Sequence, residues 1–228
     1  NLLDDNYLSS RKNLIKKNTI LNNPLYGYPP NWSKDDQANG INYNETGTTH
    51  ISIIDAYGNA LSMTSTIESA FGSRKMSNGY FLNNELTDFS FSRTINGERV
   101  ANRVQGGKRP RSSMTPTIVF DPITNKPKII IGTAGGSRII GYVTQRIIDI
   151  LYYENSIIES ISAPHFLSRG SGIEAERETE IIKKLRHIGH KIQFKSLPSG
   201  LNGIFVDYQE NQIVGASDPR RIGTAKGK

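Results

Sequence analysis

Apolar and polar residues alternate from Thr49 to Asp55, with His50 and Ser52 set against Ile51 and Ile53, and a second strand-like run covers Ala60–Thr66. Tyr57-Gly58-Asn59 lies between them, and a Gly-Asn step flanked by such runs predicts a β-hairpin. Downstream, Gly79–Leu82 reads as a short strand and Asn83–Phe89 as a polar turn. Ser90–Pro110 reads as a long basic loop carrying Gly97, Gly106 and Gly107. Thr117–Phe120 and Lys128–Gly132 predict a second strand pair around Asp121-Pro122. The period then changes. Ile139, Ile140, Val143, Ile147, Ile150 and Leu151 share one stripe, which predicts a helix over Ser137–Tyr152 with Ser137 as its N-cap. A second helix is predicted over Glu174–Ile188, stopped by Gly189, and Asn202–Asp207 with Gln212–Gly215 predicts a closing hairpin. Strand pairs followed by helices imply helix-covered sheets in a mixed α/β architecture.

The first 47 residues are polar and rich in Asn and Lys. Ser9–Lys17 reads as a short helix marked by Leu14 and Ile15, while Pro24, Pro29, Pro30 and Gly40 predict a loop over Asn22–Glu45. A linker that must reach a cleavage site has this composition, and so does an unpaired chain end.

Composition narrows the picture in a few places. The 228 residues are 36% hydrophobic, enough for a sizeable core. The absence of cysteine removes disulfides, thiol catalysis and thiolate-bound metals. No apolar run approaches the ~18 residues that mark a membrane span. The net charge of +7 comes from scattered Lys and Arg, except at Arg99–Arg111 and Arg220–Lys228. No nucleic-acid-binding motif or aromatic platform accompanies it, so no nucleic-acid partner is expected. The four histidines, His50, His165, His187 and His190, lack catalytic or metal-ligand spacing and read as structural or surface residues.

Thr48 and Thr49 open the hairpin directly after Gly47. Threonine is an ordinary strand residue, and on that ground alone neither Thr48 nor Thr66 signals chemistry. A threonine hydroxyl becomes a nucleophile only with a base nearby. Cutting Gly47–Thr48 would give Thr48 a free α-amine, whose reference pKa of about 7.7–8.0 suits a base near neutral pH. Nucleophile and base would then be one residue. Gly135 and Gly136 precede a helix, which fits either an anion site of backbone N–H groups or close packing. Glu85 and Asp88, three apart, fit either a carboxylate pair around an ammonium or a solvated acidic turn.

Six motifs follow one another: TTH (Thr48–His50), STIESAFGS (Ser65–Ser73), FLNNELTDFS (Phe81–Ser90), KRPRSSMTPTIV (Lys108–Val119), GTAGGSRI (Gly132–Ile139) and GASDPR (Gly215–Arg220). In this order and spacing the chain resembles the small catalytic subunit of the gamma-glutamyltranspeptidases, which are N-terminal-nucleophile hydrolases. The resemblance covers about three quarters of the chain, from Thr48 to Arg221. It implies an αββα four-layer sandwich that is incomplete without the large subunit. Residues 1–47 would be the tail of that subunit and a flexible linker, and residues 48–228 the small catalytic subunit.

The resemblance also assigns roles. Thr48 would be the nucleophile exposed by autocleavage at Gly47–Thr48, Thr66 the residue that holds it, and Gly135 and Gly136 the oxyanion hole. Glu85 and Asp88 would receive the α-amino group of a γ-glutamyl donor, and Ser112 and Ser113 its α-carboxylate. Glu68 stands where many members carry Asn; a carboxylate there repels the donor's carboxylate and favours an amine. Arg109 reads as part of a basic loop, and Asp218 and Arg220 as structural residues. No metal or organic cofactor is implied. The donor would be glutathione or a related γ-glutamyl amide, and the acceptor water, an amino acid or a peptide. In a bacterium the compartment implied is periplasmic or extracellular. Glu68 keeps open a related acylase or a poly-γ-glutamate depolymerase. A non-catalytic fragment lacking its large subunit and, more distantly, a basic-surface binding protein are the rival readings of another class.

Overall fold

The structure, a computed structural model, describes residues 2–21, 24–31, 47–170 and 172–227. They divide into two compact units. The larger comprises the described residues of 41–91, 104–163 and 198–228 and contains every candidate site residue. Its centre is an antiparallel four-stranded sheet in the order Gln212–Ser217, Asn202–Asp207, Pro127–Gly132 and Thr117–Phe120. The helices Ile139–Tyr152 and Ile157–Ser162 cover one face. Ile129 and Ile131 of the sheet meet Ile139, Val143, Ile150, Ile157 and Ile161 there in a buried apolar core.

The hairpin Thr48–Ile54 and Ala60–Thr66 packs on the other side of this sheet, in register from Thr48 opposite Thr66 to Ile54 opposite Ala60. Its inward face is the polar one. His50 lies where a Cβ on Gly132 would fall 2.2 Å from its ring, so only glycine leaves room for it. Ser62 Oγ donates to the Ile131 carbonyl at 3.1 Å, and Asn202 Nδ2 donates to the His50 carbonyl at 2.6 Å. The outward face carries Ile51, Ile53, Leu61 and Met63, each 41–47% exposed. Helices, sheet and hairpin are thus three of the four layers of an αββα sandwich.

The smaller unit comprises the described residues of 1–40, 92–103 and 164–197. Ile173–Ala175 is the central strand of a three-stranded sheet, antiparallel to Phe166–Ser168 and parallel to Ile192–Phe194. The helix Glu180–His187 packs Ile182 and Leu185 on it.

Several expectations are corrected here. The helix expected over Glu174–Ile188 begins at Glu180, where Thr179 caps it by accepting from the Ile182 N–H. Glu174 belongs instead to the central strand, its carboxylate paired with Arg169 and Lys195. The N-terminal helix spans Asp5–Lys12 rather than Ser9–Lys17, because Asp4 caps it; Leu14 and Ile15 follow it, exposed. Ser137 is not the N-cap of the helix. It lies in a 3₁₀ turn, Gly136–Arg138, and the α-helix starts at Ile139. On that helix Ile140 and Leu151 are exposed, and Tyr142 and Arg146 are buried in their place. The basic loop holds a two-rung hairpin, Thr94–Ile95 with Glu98–Arg99, and the expected strand at Gly79–Leu82 shortens to Tyr80–Phe81, paired with Met76–Ser77. The helix Ile157–Ser162, which the apolar pattern does not predict, is opened by a Ser156–Glu159 capping box. Most of the loop expected over Asn22–Glu45 lies outside the described residues.

Candidate active site

Gly47 extends the hairpin by one rung. Its N–H donates to the Glu68 carbonyl at 2.7 Å, and its carbonyl accepts from the Ile67 N–H at 3.0 Å. The backbone passes so close to the opposite strand that a Cβ here would lie 2.5 Å from the Ser69 carbonyl oxygen. The glycine is needed for approach rather than for its backbone angles. Thr48 follows, buried, its carbonyl accepting from Arg221 Nη1 at 2.9 Å.

The strand register sets the two hydroxyls of Thr48 and Thr66 opposite each other, with Oγ1 atoms 2.9 Å apart. Thr66 Oγ1 also donates to the Gly47 carbonyl at 3.3 Å and accepts from the Glu68 N–H at 2.9 Å. Three of the expected residues and the preceding glycine are therefore joined in one hydrogen-bonded group. His50, two residues along, is not part of it. Its ring nitrogens contact Thr64 and Ser52, and burial pushes it down to about 4, so it is neutral near pH 7.

Glu68 is buried and holds a left-handed backbone, φ 69°, which is uncommon for a residue of this size. Its Oε2 accepts from Ser69 Oγ at 2.7 Å and from Asn84 Nδ2. Asn84 in turn accepts from the Ser69 N–H and contacts Thr87 Oγ1, which fixes the start of the 3₁₀ turn Glu85–Asp88. That turn brings Glu85 and Asp88 toward Glu68. Burial raises the Glu85 carboxyl, and the charges of Asp88 and Glu68 add to it. Asp88 is raised by burial; Arg111 opposes and Glu68 reinforces the shift. Glu85 Oε2 is buried without a hydrogen-bond partner. Three carboxylates and one guanidinium leave this corner acidic, able to take a cation such as an ammonium.

The remaining expected residues are placed but not bonded to the threonine pair. Ser113 is buried, while Ser112 is exposed and accepts from the Met114 N–H. Gly135 and Gly136 both have positive φ at the head of the long helix, and a Cβ on Gly135 would meet the Tyr142 ring at 2.9 Å. Beside the strand that Thr48 opens, a cavity of about 150 Å³ is lined by Thr49, His50, Ala134, Asn202, Arg221 and Gly223, among others. Asp218 and Arg220 bind each other at 3.0 Å as structural residues. Burial alone raises Asp218, but bonds from Ser199, Leu201 and Arg220 outweigh it and hold the carboxyl low. Sequence reasoning missed Asn84 and Arg221, which reach Glu68 and Thr48 far along the chain; only the place of Asn84 inside the FLNNELTDFS motif and of Arg221 directly after GASDPR pointed to them. Among the described residues no cluster of three or more His, Asp or Glu is arranged for a metal, and no helix is long and apolar enough to cross a membrane.

A buried threonine at the head of a hairpin, packed against a helix-backed antiparallel sheet, defines the fold as that of the N-terminal-nucleophile hydrolases. Residues 1–228 match the gamma-glutamyltranspeptidase family, and the chain belongs to that family. It is 34% identical over 241 residues to the glutathione hydrolase proenzyme of Bacillus subtilis strain 168, covering 99% of this chain and 39% of the relative. An acivicin-inhibited gamma-glutamyltranspeptidase structure superposes with a TM-score of 0.66 at 34% identity, over 77% of this chain and 100% of that one. The transpeptidase CapD of Bacillus anthracis gives 0.61 at 29% identity, over 79% and 99%. The chain thus spans about two fifths of the length of the Bacillus subtilis relative.

Proposed function

We propose that residues 48–228 form the nucleophile-bearing subunit of a γ-glutamyl acyl-transfer enzyme and that residues 1–47 belong to the large subunit's tail and linker. Cleavage at Gly47–Thr48 frees the Thr48 amine. The hydroxyl then attacks the γ-glutamyl amide of a donor such as glutathione, and water, an amino acid or a peptide amine resolves the ester. Thr66 holds the hydroxyl, and the N–H groups of Gly135 and Gly136 receive the oxyanion. The acidic corner of Glu85 and Asp88 takes the donor's ammonium, with Ser112 and Ser113 toward its carboxylate. The observation that carries this reading is the 2.9 Å contact between the Thr48 and Thr66 hydroxyls, with Gly47 seated beside them.

The test is a substrate profile of the full-length gene product. A burst of p-nitroaniline from γ-glutamyl-p-nitroanilide, equal to the amount of Thr48 N-terminus, is the expected result, followed by ping-pong kinetics. A preference for poly-γ-glutamate or for glutaryl or adipyl amides would move the assignment to a related depolymerase or acylase. Glu68, a buried acid, is what favours that second reading.

Gly47→Ala provides a separate check. Its methyl would lie 2.5 Å from a backbone oxygen, so the strands must part locally at a cost of about 1–3 kcal/mol. Self-cleavage is expected to slow by at least tenfold, read by intact mass over time. An unchanged rate would mean that Gly47 need not sit in the ladder when the bond is cut.

A further inference from the structure

We propose that self-cleavage is driven by a proton relay through the Thr66 hydroxyl, with the Ile67 N–H as a second donor to the scissile carbonyl, and that it needs no ionisable base. The inference rests on Thr48 being the self-exposing nucleophile and specifies how it acts before its amine exists. Until the bond is cut the Thr48 nitrogen is an amide and cannot accept a proton, so the base used in turnover is absent from the first reaction.

Hydrogen-bond capacity fixes the direction of the relay. Thr66 Oγ1 has one proton and two lone pairs. It meets three groups: the Glu68 N–H at 2.9 Å, Thr48 Oγ1 at 2.9 Å and the Gly47 carbonyl oxygen at 3.3 Å. The amide only donates and the carbonyl only accepts. Every contact is satisfied when Thr66 donates to Gly47 and Thr48 donates to Thr66. The proton path then runs from Thr48 through Thr66 to the very oxygen that becomes electron-rich. The Ile67 N–H reaches the same oxygen at 3.0 Å, which makes a two-donor cradle from the end of the hairpin itself.

The step balances without an added reagent. The Thr48 oxygen bonds to the Gly47 carbonyl carbon, its proton moves to Thr66, and the Thr66 proton moves to the carbonyl oxygen. A neutral tetrahedral adduct results. When it collapses, the carbon–nitrogen bond breaks, the adduct's hydroxyl loses its proton and the Thr48 nitrogen gains one. Water hydrolyses the ester to a Gly47 carboxylate and restores the Thr48 hydroxyl.

His50 and Glu68, the titratable side chains within two residues of Thr48 and Thr66, are otherwise engaged. The His50 ring bonds to Thr64 and Ser52. The Glu68 carboxylate bonds to Ser69 and Asn84, and its charge acts on Glu85 and Asp88. Arg221 is a permanent cation on the Thr48 carbonyl.

The experiment follows self-cleavage of the full-length gene product by intact mass, in the wild type and in Thr66→Val, Thr66→Ser and Thr48→Ala. Thr66→Val keeps the branched shape and is expected to slow cleavage by about 100-fold, with Thr66→Ser within about tenfold of wild type. The wild-type rate should be flat from about pH 6 to 9, whereas turnover should rise through the amine's range near pH 7.7–8.0. Cleavage of Thr66→Val at the wild-type rate, or a wild-type cleavage rate that climbs tenfold per pH unit, would overturn the relay while leaving Thr48 in its role. The pH profile needs no variant, so a misfolded Thr66→Val leaves the proposal open to refutation. Cleavage that persists in Thr48→Ala would overturn the underlying reading and the relay with it.

Discussion

Thr48→Ala is expected to leave the chain uncut and to lower turnover by at least about 10⁴-fold, the scale of losing a nucleophile. Two losses coincide in this substitution. The hydroxyl that contacts Thr66 at 2.9 Å disappears, and with it the attack that exposes the amine. The fold should survive, because alanine fits the strand and the register is held by six further residue pairs in the hairpin. Thermal unfolding within a few degrees of wild type, with a single uncut mass, would separate a chemical loss from a structural one. Thr48→Ser keeps an oxygen and should keep both cleavage and turnover at a reduced rate. If Thr48→Ala is cut normally and active, another residue is the nucleophile.

Asp88→Asn and Glu85→Gln should each weaken a γ-glutamyl donor more than any surface substitution. A hydrogen bond to a charged group contributes about 1.5–3 kcal/mol, so kcat/KM should fall roughly 10- to 100-fold, mainly through KM. The pH sign follows from the raised carboxyls. Both groups are held above their ordinary values, first by burial and then by neighbouring carboxylates. With no ammonium bound, ionising them penalises the folded state at neutral pH. That penalty is relieved as pH falls through the raised values toward the ordinary ones. A bound ammonium reverses this preference, because it needs the ionised form. Donor affinity should therefore drop on acidification at a higher pH than for an ordinary carboxylate, and the drop should shrink in either variant. A KM unchanged in both variants would remove the ammonium from this corner.

The hairpin was legible because alternation and a Gly-Asn turn state it directly. Which of its faces points inward was not. His50, Ser52 and Ser62 lie against the sheet because they bond there to one another and to backbone groups of Ile131 and Asn202. Pattern alone cannot supply partners more than 60 residues away in the chain. The Glu174–Ile188 region misled because Ile181, Ile182 and Leu185 mark a true helix, and its apolar period hides the Thr179 cap that starts it. The Ser156–Glu159 box was written in the sequence and opens a helix too short for periodicity to reveal. At the site, Thr48, Thr66 and Glu68, singled out by the motifs they lie in, fall in one hydrogen-bonded group. Asn84 did not stand out, because its role depends on the left-handed turn at Glu68.

If Gly47–Thr48 is cut as proposed, the single rung at Gly47 gives maturation a direction. While the peptide bond is intact, that rung is held in place by the strand it continues. Once the bond is cut, two backbone hydrogen bonds and the 3.3 Å bond from Thr66 Oγ1 hold the glycine, each with a net contribution of about 0.5–1.5 kcal/mol. Freeing the residue returns about 1–2 kcal/mol of backbone entropy. The severed end can leave, its local concentration near Thr48 collapses, and religation loses to departure. The Thr48–Thr66 contact beside the bond also exists only in the register that sets the two residues opposite each other. The proposed cleavage would then act as a one-way ratchet that reports correct folding before any substrate is touched.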